Sequence, residues 1–440
     1  MRRIGALVLI ASLAAVRCRS SEENHGEGGD AEDYLTGDDI LNLGQQWGTT
    51  EPFTTMTANL SDVTSIKSSF QFRTLDSEGV VFYGDTKAGE DWFVLALRGG
   101  IPEMQIGKSS SRVSVSGGPR LDDGRWHQVQ LRSENQFVVL EVDRVAVLTV
   151  GLHSVDDSEL LGQIRLALGG ILVDSSLLFP TLRPEMDGCI RGGTWLNLST
   201  PWVSTLRTEP KPCFANLIQG SYFLGTGLAL FQSTDFPLSP ENRTLTVEVS
   251  LRPERWSGTV LAVQTRDHRL LLSLSLDVSK DCNELSAQLV VFTSTLSVHM
   301  CLPPDPEDNL VVVISEKEAQ IRTGPDRPPA VLEDMEEMLE AWEKGALLSF
   351  GGMPDGSDTN GPADQSYFRG CMYGIRVQGR ALDLDRSFYK HGSISSHSCP
   401  KKKIEKPSHS QFFGGRLSVS GAISVWSSTI IQKYKAKKAH

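Results

Sequence analysis

A series of short strand signals runs through the first half of the chain and returns in the same order in the second. Met186-Asp187-Gly188-Cys189-Ile190 is mirrored by Phe368-Arg369-Gly370-Cys371-Met372, and Leu166-Ala167-Leu168-Gly169-Gly170 by Leu347-Leu348-Ser349-Phe350-Gly351-Gly352. The stretch from Ser69 to Thr74 returns as Leu245 to Arg252, and Gly79 to Gly84 as Gly258 to Val263. Each half closes on a further cysteine, Cys213 or Cys399. A repeat of roughly 180 residues means two copies of one domain. Two copies also suit 440 residues, too many for one ordinary domain.

Within each copy the signals are those of strands. Ser69 to Thr74 alternates with period two, and Asp91 to Arg98 and Glu103 to Ile106 follow it. The polar turn Leu121-Asp122-Asp123-Gly124-Arg125 feeds a strand opening at Trp126-His127-Gln128-Val129, with Phe137 to Asp143 after it. Tight turns account for the 40 glycines. The expectation is an all-β sandwich. One helix, from Leu332 to Trp342, is expected on the surface of the second copy. The domains are placed at 45–215 and 216–400. The acidic segment 19–44 is too poor in apolar residues to fold alone and reads as a flexible leader. Residues 401–440 are basic and read as a flexible tail, with a heparin or membrane-surface role as the functional alternative.

Arg2-Arg3 followed by the apolar run Ile4 to Val16 is a secretory pattern, so residues 1–18 are read as a signal peptide and the protein as secreted. The run is too short for a membrane span. Six cysteines remain outside it, enough for three disulfides among about fifteen pairings. The repeat points to Cys189–Cys213 and Cys371–Cys399, and Cys282–Cys301 would be the third, flanking the strand signal Leu289 to Phe292. Asn59, Asn197 and Asn242 head glycosylation sequons. A net charge of −11 argues against nucleic acid as a partner. The chain has no nucleophile elbow, phosphate-binding loop or His-Glu-x-x-His, and catalysis is not expected. His127 has no nucleophile near it in sequence and reads as structural.

The order of signals around Leu121 to Val129 resembles a laminin G-like domain. Ser68-Ser69-Phe70, Glu78-Gly79-Val80, Phe82-Tyr83-Gly84-Asp85-Thr86, Asp91-Trp92-Phe93 and Gly118 to Val129 together resemble the sex hormone-binding globulin family, over residues 50–400. The resemblance implies two laminin G-like jelly-roll β-sandwiches in tandem, no enzymatic activity, and one sex steroid, androgen or oestrogen, held between the sheets of the first domain. A steroid is a rigid apolar plate with a polar group at each end, so it needs a dry slot and a few placed hydrogen bonds. By the resemblance, Ser68 contacts the ring A oxygen, Asp91 accepts from the 17-hydroxyl, and Phe93 forms an aromatic wall. Lys108 stands where the family has an asparagine beside Asp91. Ser133 and Ile164 fall where methionines line the pocket. Ser109 and Leu161 replace histidines of a zinc site, so zinc is not expected. Asp76 and Glu78, with the backbone carbonyl of Glu185, match a structural calcium site. A homodimer is implied as well. The alternatives are a paired-domain ligand of a cell-surface receptor, like the C-terminal half of protein S, and a matrix or glycan-binding adhesion protein.

Overall fold

The computed structural model describes residues 34–35, 40–44 and 52–401, apart from 109–110, 135–136, 152–161, 205–210, 212, 255–256, 279–283, 293, 302–308, 324–329, 334 and 355–366. The first repeat contributes β1 (Tyr34–Leu35), β2 (Leu41–Asn42), β3 (Thr54–Asn59), β4 (Lys67–Thr74), β5 (Gly79–Thr86), β6 (Asp91–Arg98), β7 (Ile101–Lys108) and β8 (Ser111–Ser116). It continues with β9 (His127–Glu134), β10 (Phe137–Val142), β11 (Val145–Gly151), β12 (Gln163–Leu168), β13 (Gly188–Trp195), β14 (Val203–Ser204) and β15 (Cys213–Phe214). One sheet has the order β11-β10-β9-β4-β13-β2 and the other β14-β3-β12-β5-β6-β7-β8.

Side-chain pattern decides how each strand is buried. β9 alternates buried and half-buried positions because one face meets the core and the other meets water. β6 carries the continuous run Trp92-Phe93-Val94-Leu95-Ala96-Leu97, the mark of a strand covered on both faces. Its inner face joins Phe70, Phe72, Leu140 and Leu166 between the sheets. Its outer face, with Trp92, Val94 and Ala96, packs under Ile171, Leu178 and Leu182 from the segment that follows β12. At the polar turn, His127 sits between two carboxylates, with Nδ1 2.8 Å from Asp143 and Nε2 3.1 Å from Asp123. It therefore serves as a brace for the turn.

The leader is not wholly free. Its stretch Tyr34-Leu35 pairs with β15, and Leu41-Asn42 pairs with β13, which buries Leu43. Cys189–Cys213 and Cys371–Cys399 are bonded. Cys282 lies outside the described residues.

The second repeat forms a second sandwich. One sheet runs Ser221–Leu224, Arg369–Val377, Leu245–Pro253, Asn309–Ile314, Glu318–Thr323, Ala330–Glu333. The other runs Ser294–Cys301, Glu284–Val291, Leu270–Val278, Gly258–Gln264, Leu347–Phe350, Ala229–Gln232, Tyr389–Lys390. The expected helix begins later than its periodicity suggested. Ala330–Glu333 is a strand, with Leu332 paired to Ala319, and the helix α1 spans Glu336–Glu343. It is also not merely superficial, since Met338, Leu339 and Trp342 are buried and the Trp342 indole N–H donates to the Phe236 carbonyl at 3.0 Å.

Candidate functional site

A cavity of about 370 Å³ opens between the sheets of the first domain. Its position follows from strand register. Across the seven-stranded sheet, Ile164 on β12 stands opposite Thr86 on β5, Thr86 opposite Asp91 on β6, and Asp91 opposite Lys108 on β7. All four line the cavity, with Phe82, Phe93 and Leu166 further in. The six-stranded sheet supplies Ser68, Leu131, Val138 and Val150.

Aromatic rings fix the inner end. Trp195 stacks on Phe70 at 5.0 Å and meets Phe82 at 5.1 Å, and Phe82 meets Phe93 edge-on at 6.2 Å. Gly107 permits the wall behind them. A Cβ at that position would lie 2.3 Å from the Trp92 ring. Ser68 is 1% exposed, and its Oγ accepts the Leu196 N–H at 3.3 Å. A hydroxyl has one donor and two acceptor sites, so this bond leaves its hydrogen available to a ligand oxygen.

Of the residues expected from sequence, Ser68, Asp91, Phe93, Lys108 and Ile164 all line this cavity. Ser133 does not. It is exposed near the end of β9, and its neighbours Leu131 and Arg132 take the lining positions. Asp85, one residue before Thr86, points with Tyr83 to the outer face of the sheet and away from the cavity. Its carboxylate is already held by Arg165 at 2.8 and 2.5 Å and by the Tyr83 hydroxyl at 2.6 Å. Burial raises the Tyr83 pKa, with Asp85 adding to the rise, so that hydroxyl stays a donor. Asp91, which shares the inward parity of Phe93, is the carboxylate that faces the cavity. Leu60, Val63 and Ile66, between β3 and β4, complete one side of the mouth.

A second cluster lies where the two domains meet. Asp76 is 3% exposed and accepts N–H groups from Glu78 at 3.1 Å and Asp187 at 3.0 Å. His397 of the second domain places Nε2 3.5 Å from Asp76 and 3.0 Å from Asp385. Asp385 is paired with Lys390 at 2.6 Å, and Ser396 donates to the same carboxylate at 2.5 Å. Arg183 reaches across to Asp383 at 2.9 Å, and the His397 N–H donates to Asp187 at 2.9 Å. Burial raises the Asp76 pKa against the pull of His397. Burial would lower that of His397, but Asp76 and Asp385 outweigh it and hold the imidazole protonated, at about 10.

The calcium expectation falls at the same place. Glu78 is half-buried and accepts the Arg183 N–H at 3.3 Å. The Glu185 carbonyl lies against Gly79, where a Cβ would come within 2.2 Å of it. Only glycine leaves this oxygen room beside the Asp76 turn. A buried carboxylate, a second carboxylate and an approaching carbonyl fit a hard, oxygen-seeking cation. Among the described residues, Asp76, Asp385 and His397 bring ligand atoms within 4.8 Å of one another. Ser109 and Leu161, read as replacing zinc ligands, lie outside the described residues. Asn59, Asn197 and Asn242 are all exposed.

Residues 72–199 match the laminin G domain family. The chain is 34% identical to the sex hormone-binding globulin of Crocuta crocuta over 80% of its length and 86% of that protein's. It is 33% identical to the sex hormone-binding globulin of Homo sapiens over 80% of its length and 84% of that protein's. In structure it is similar to domains LG4-5 of the mouse laminin alpha1 chain, with a TM-score of 0.61, covering 87% of this chain and 99% of that one at 16% identity.

Proposed function

Because the chain belongs to the family of the sex hormone-binding globulins, with two laminin G-like sandwiches in tandem, we propose that it is a secreted carrier holding one androgen or oestrogen in the cavity of its first domain. It is a binding protein and not an enzyme. The observation that carries the reading is the cavity itself. At about 370 Å³ it lies near the lower end of ligand pockets, about 300–1,000 Å³. Its walls are largely apolar, with a buried hydroxyl at Ser68 on one sheet and the Asp91–Lys108 pair on the other. Those are the placements a flat apolar molecule with an oxygen at each end would use. The described residues contain no helix long and apolar enough to cross a membrane. The amino-terminal pattern of residues 1–18 and the exposed sequons support secretion and glycosylation, and family likeness extends the reading to a homodimer.

Equilibrium dialysis of the full chain against labelled testosterone and oestradiol tests this. Saturation at one molecule per chain is expected. Ile164→Trp, which fills the cavity from its wall, should abolish binding while leaving the folded spectrum intact. Binding that survives that substitution would move the ligand elsewhere.

Calcium belongs to the same proposal. Asp76, Glu78 and the Glu185 carbonyl would hold it, and the ion would supply positive charge to the buried Asp76 carboxylate at the domain junction. Binding to the native state alone stabilises by mass action, about 1.4 kcal/mol at ten times the dissociation constant. The melting temperature should therefore rise with calcium and fall with chelator. Asp76→Ala with Glu78→Ala should remove that response. Equal melting of the unaltered protein in calcium and in chelator would count against the site.

A further inference from the structure

We propose that N-glycans on Asn59 and Asn197 stand at the mouth of the first-domain cavity, one on each sheet, and set the rate at which ligand enters and leaves. The inference rests on the carrier reading and adds to it a control on exchange.

The placement comes from register. Ala58 on β3 stands opposite Ile164, the first member of the row that continues through Thr86 and Asp91 to Lys108. Asn59 is the next residue beyond that row and is exposed at the end of its strand. Three strand spacings separate Ala58 from Asp91, about 14 Å. Leu60, the middle residue of the Asn59 sequon, turns back and lines the cavity. The second sequon has the same relation to the other sheet. Leu196 lines the cavity and donates to Ser68, and Asn197 follows it, exposed and at φ 54°. Both sequons of the first domain therefore abut the cavity wall. Ile66, which also lines the cavity, is 51% exposed.

A glycan is bulky and strongly hydrated and stays on the surface. Beside a mouth of this kind it obstructs the path in both directions. An obstacle that touches neither the free nor the bound ligand raises the barrier equally for entry and exit. Both rates fall, and the equilibrium constant does not.

The test uses the full chain secreted from animal cells. Peptide mass spectrometry reads occupancy of Asn59 and Asn197. The sequons are removed at their third positions, Ser61→Ala and Ser199→Ala, because both serines are exposed and the left-handed backbone at Asn197 favours asparagine. Thr244→Ala, which removes the Asn242 sequon of the second domain, is the control. Association and dissociation of labelled testosterone should each quicken by about threefold or more in the double variant, with the dissociation constant unchanged. Glycosidase treatment of the unaltered protein should reproduce the effect, and the control should match the unaltered protein. Unmodified Asn59 and Asn197 in the secreted chain overturn the proposal, as do unchanged rates. Testosterone binding with unchanged rates leaves the carrier reading standing, whereas no testosterone binding by any of the proteins sinks both.

Discussion

Lys390→Met should lower the stability of the chain by about 3 kcal/mol, the lower end of the range for removing one partner of a buried ion pair. Lys390 and Asp385 are both nearly buried, with 9% of each side chain exposed. Without the ammonium, Asp385 keeps Ser396 and His397, which is why the upper end of the range is not expected. Urea unfolding followed by tryptophan fluorescence reads the loss. Adding Asp385→Leu removes the stranded charge and should restore part of it, because paired removal of a buried ion pair is far milder than breaking it. A double variant no more stable than Lys390→Met would refute this account. Acid provides a second reading. Burial would raise the Asp385 pKa, but Lys390 and His397 hold it well below the ordinary carboxylate value. A depressed folded-state pKa means stability that is present above about pH 4 and lost as pH falls further. That acid-sensitive component should shrink in Lys390→Met.

The second large effect is expected at the cavity. Asp91→Ala should weaken testosterone binding by about 1.5–3 kcal/mol, the range for hydrogen bonds to charged groups, or roughly 10- to 150-fold. Androstenedione, whose 17-keto oxygen only accepts, should lose less. Lys108 stands directly opposite Asp91 on the neighbouring strand. It can donate to either a hydroxyl or a keto oxygen, and it can also occupy Asp91. Lys108→Asn should therefore change the ranking of the two steroids. An unchanged ranking across the unaltered protein and both variants would remove this pair from ligand recognition.

Much of the framework is legible along the chain because its determinants are local. The run from Asp91 to Arg98 marks its own strand to the residue. The two Gly-Cys closures mark the two bonded cysteine pairs. What was not legible depends on distant partners. Tyr34-Leu35 looks like part of an acidic leader until β15 supplies its pairing. Leu332-Glu333 carries helical periodicity, but it has a sheet edge to join at Ala319 and Glu318. Ser133 has the inward parity of Leu131, yet it is exposed near the end of its strand, and parity alone cannot report that. Asp385, Lys390 and His397 belong to no motif. They meet through bonds within the second sandwich, and His397 carries the network across to Asp76 and Asp187 of the first.

The two walls of the cavity differ mechanically. The wall bearing Asp91 and Phe93 is two-ply, since the strand behind it is backed by Ile171, Leu178 and Leu182 and Trp92 lies flat over Gly107. The facing wall is one-ply, with Gln71, Gln128 and Arg191 on its far side towards solvent. Close-packed layers resist compression, so the backed wall cannot bow to admit a thicker molecule. Any yielding falls to the single layer that carries Ser68. The slot thereby gauges thickness from one fixed jaw. In the proposed carrier, a steroid with groups projecting from the plane that faces Phe93 should bind more weakly than one with the same groups on the opposite side, which dialysis of the two isomers would read.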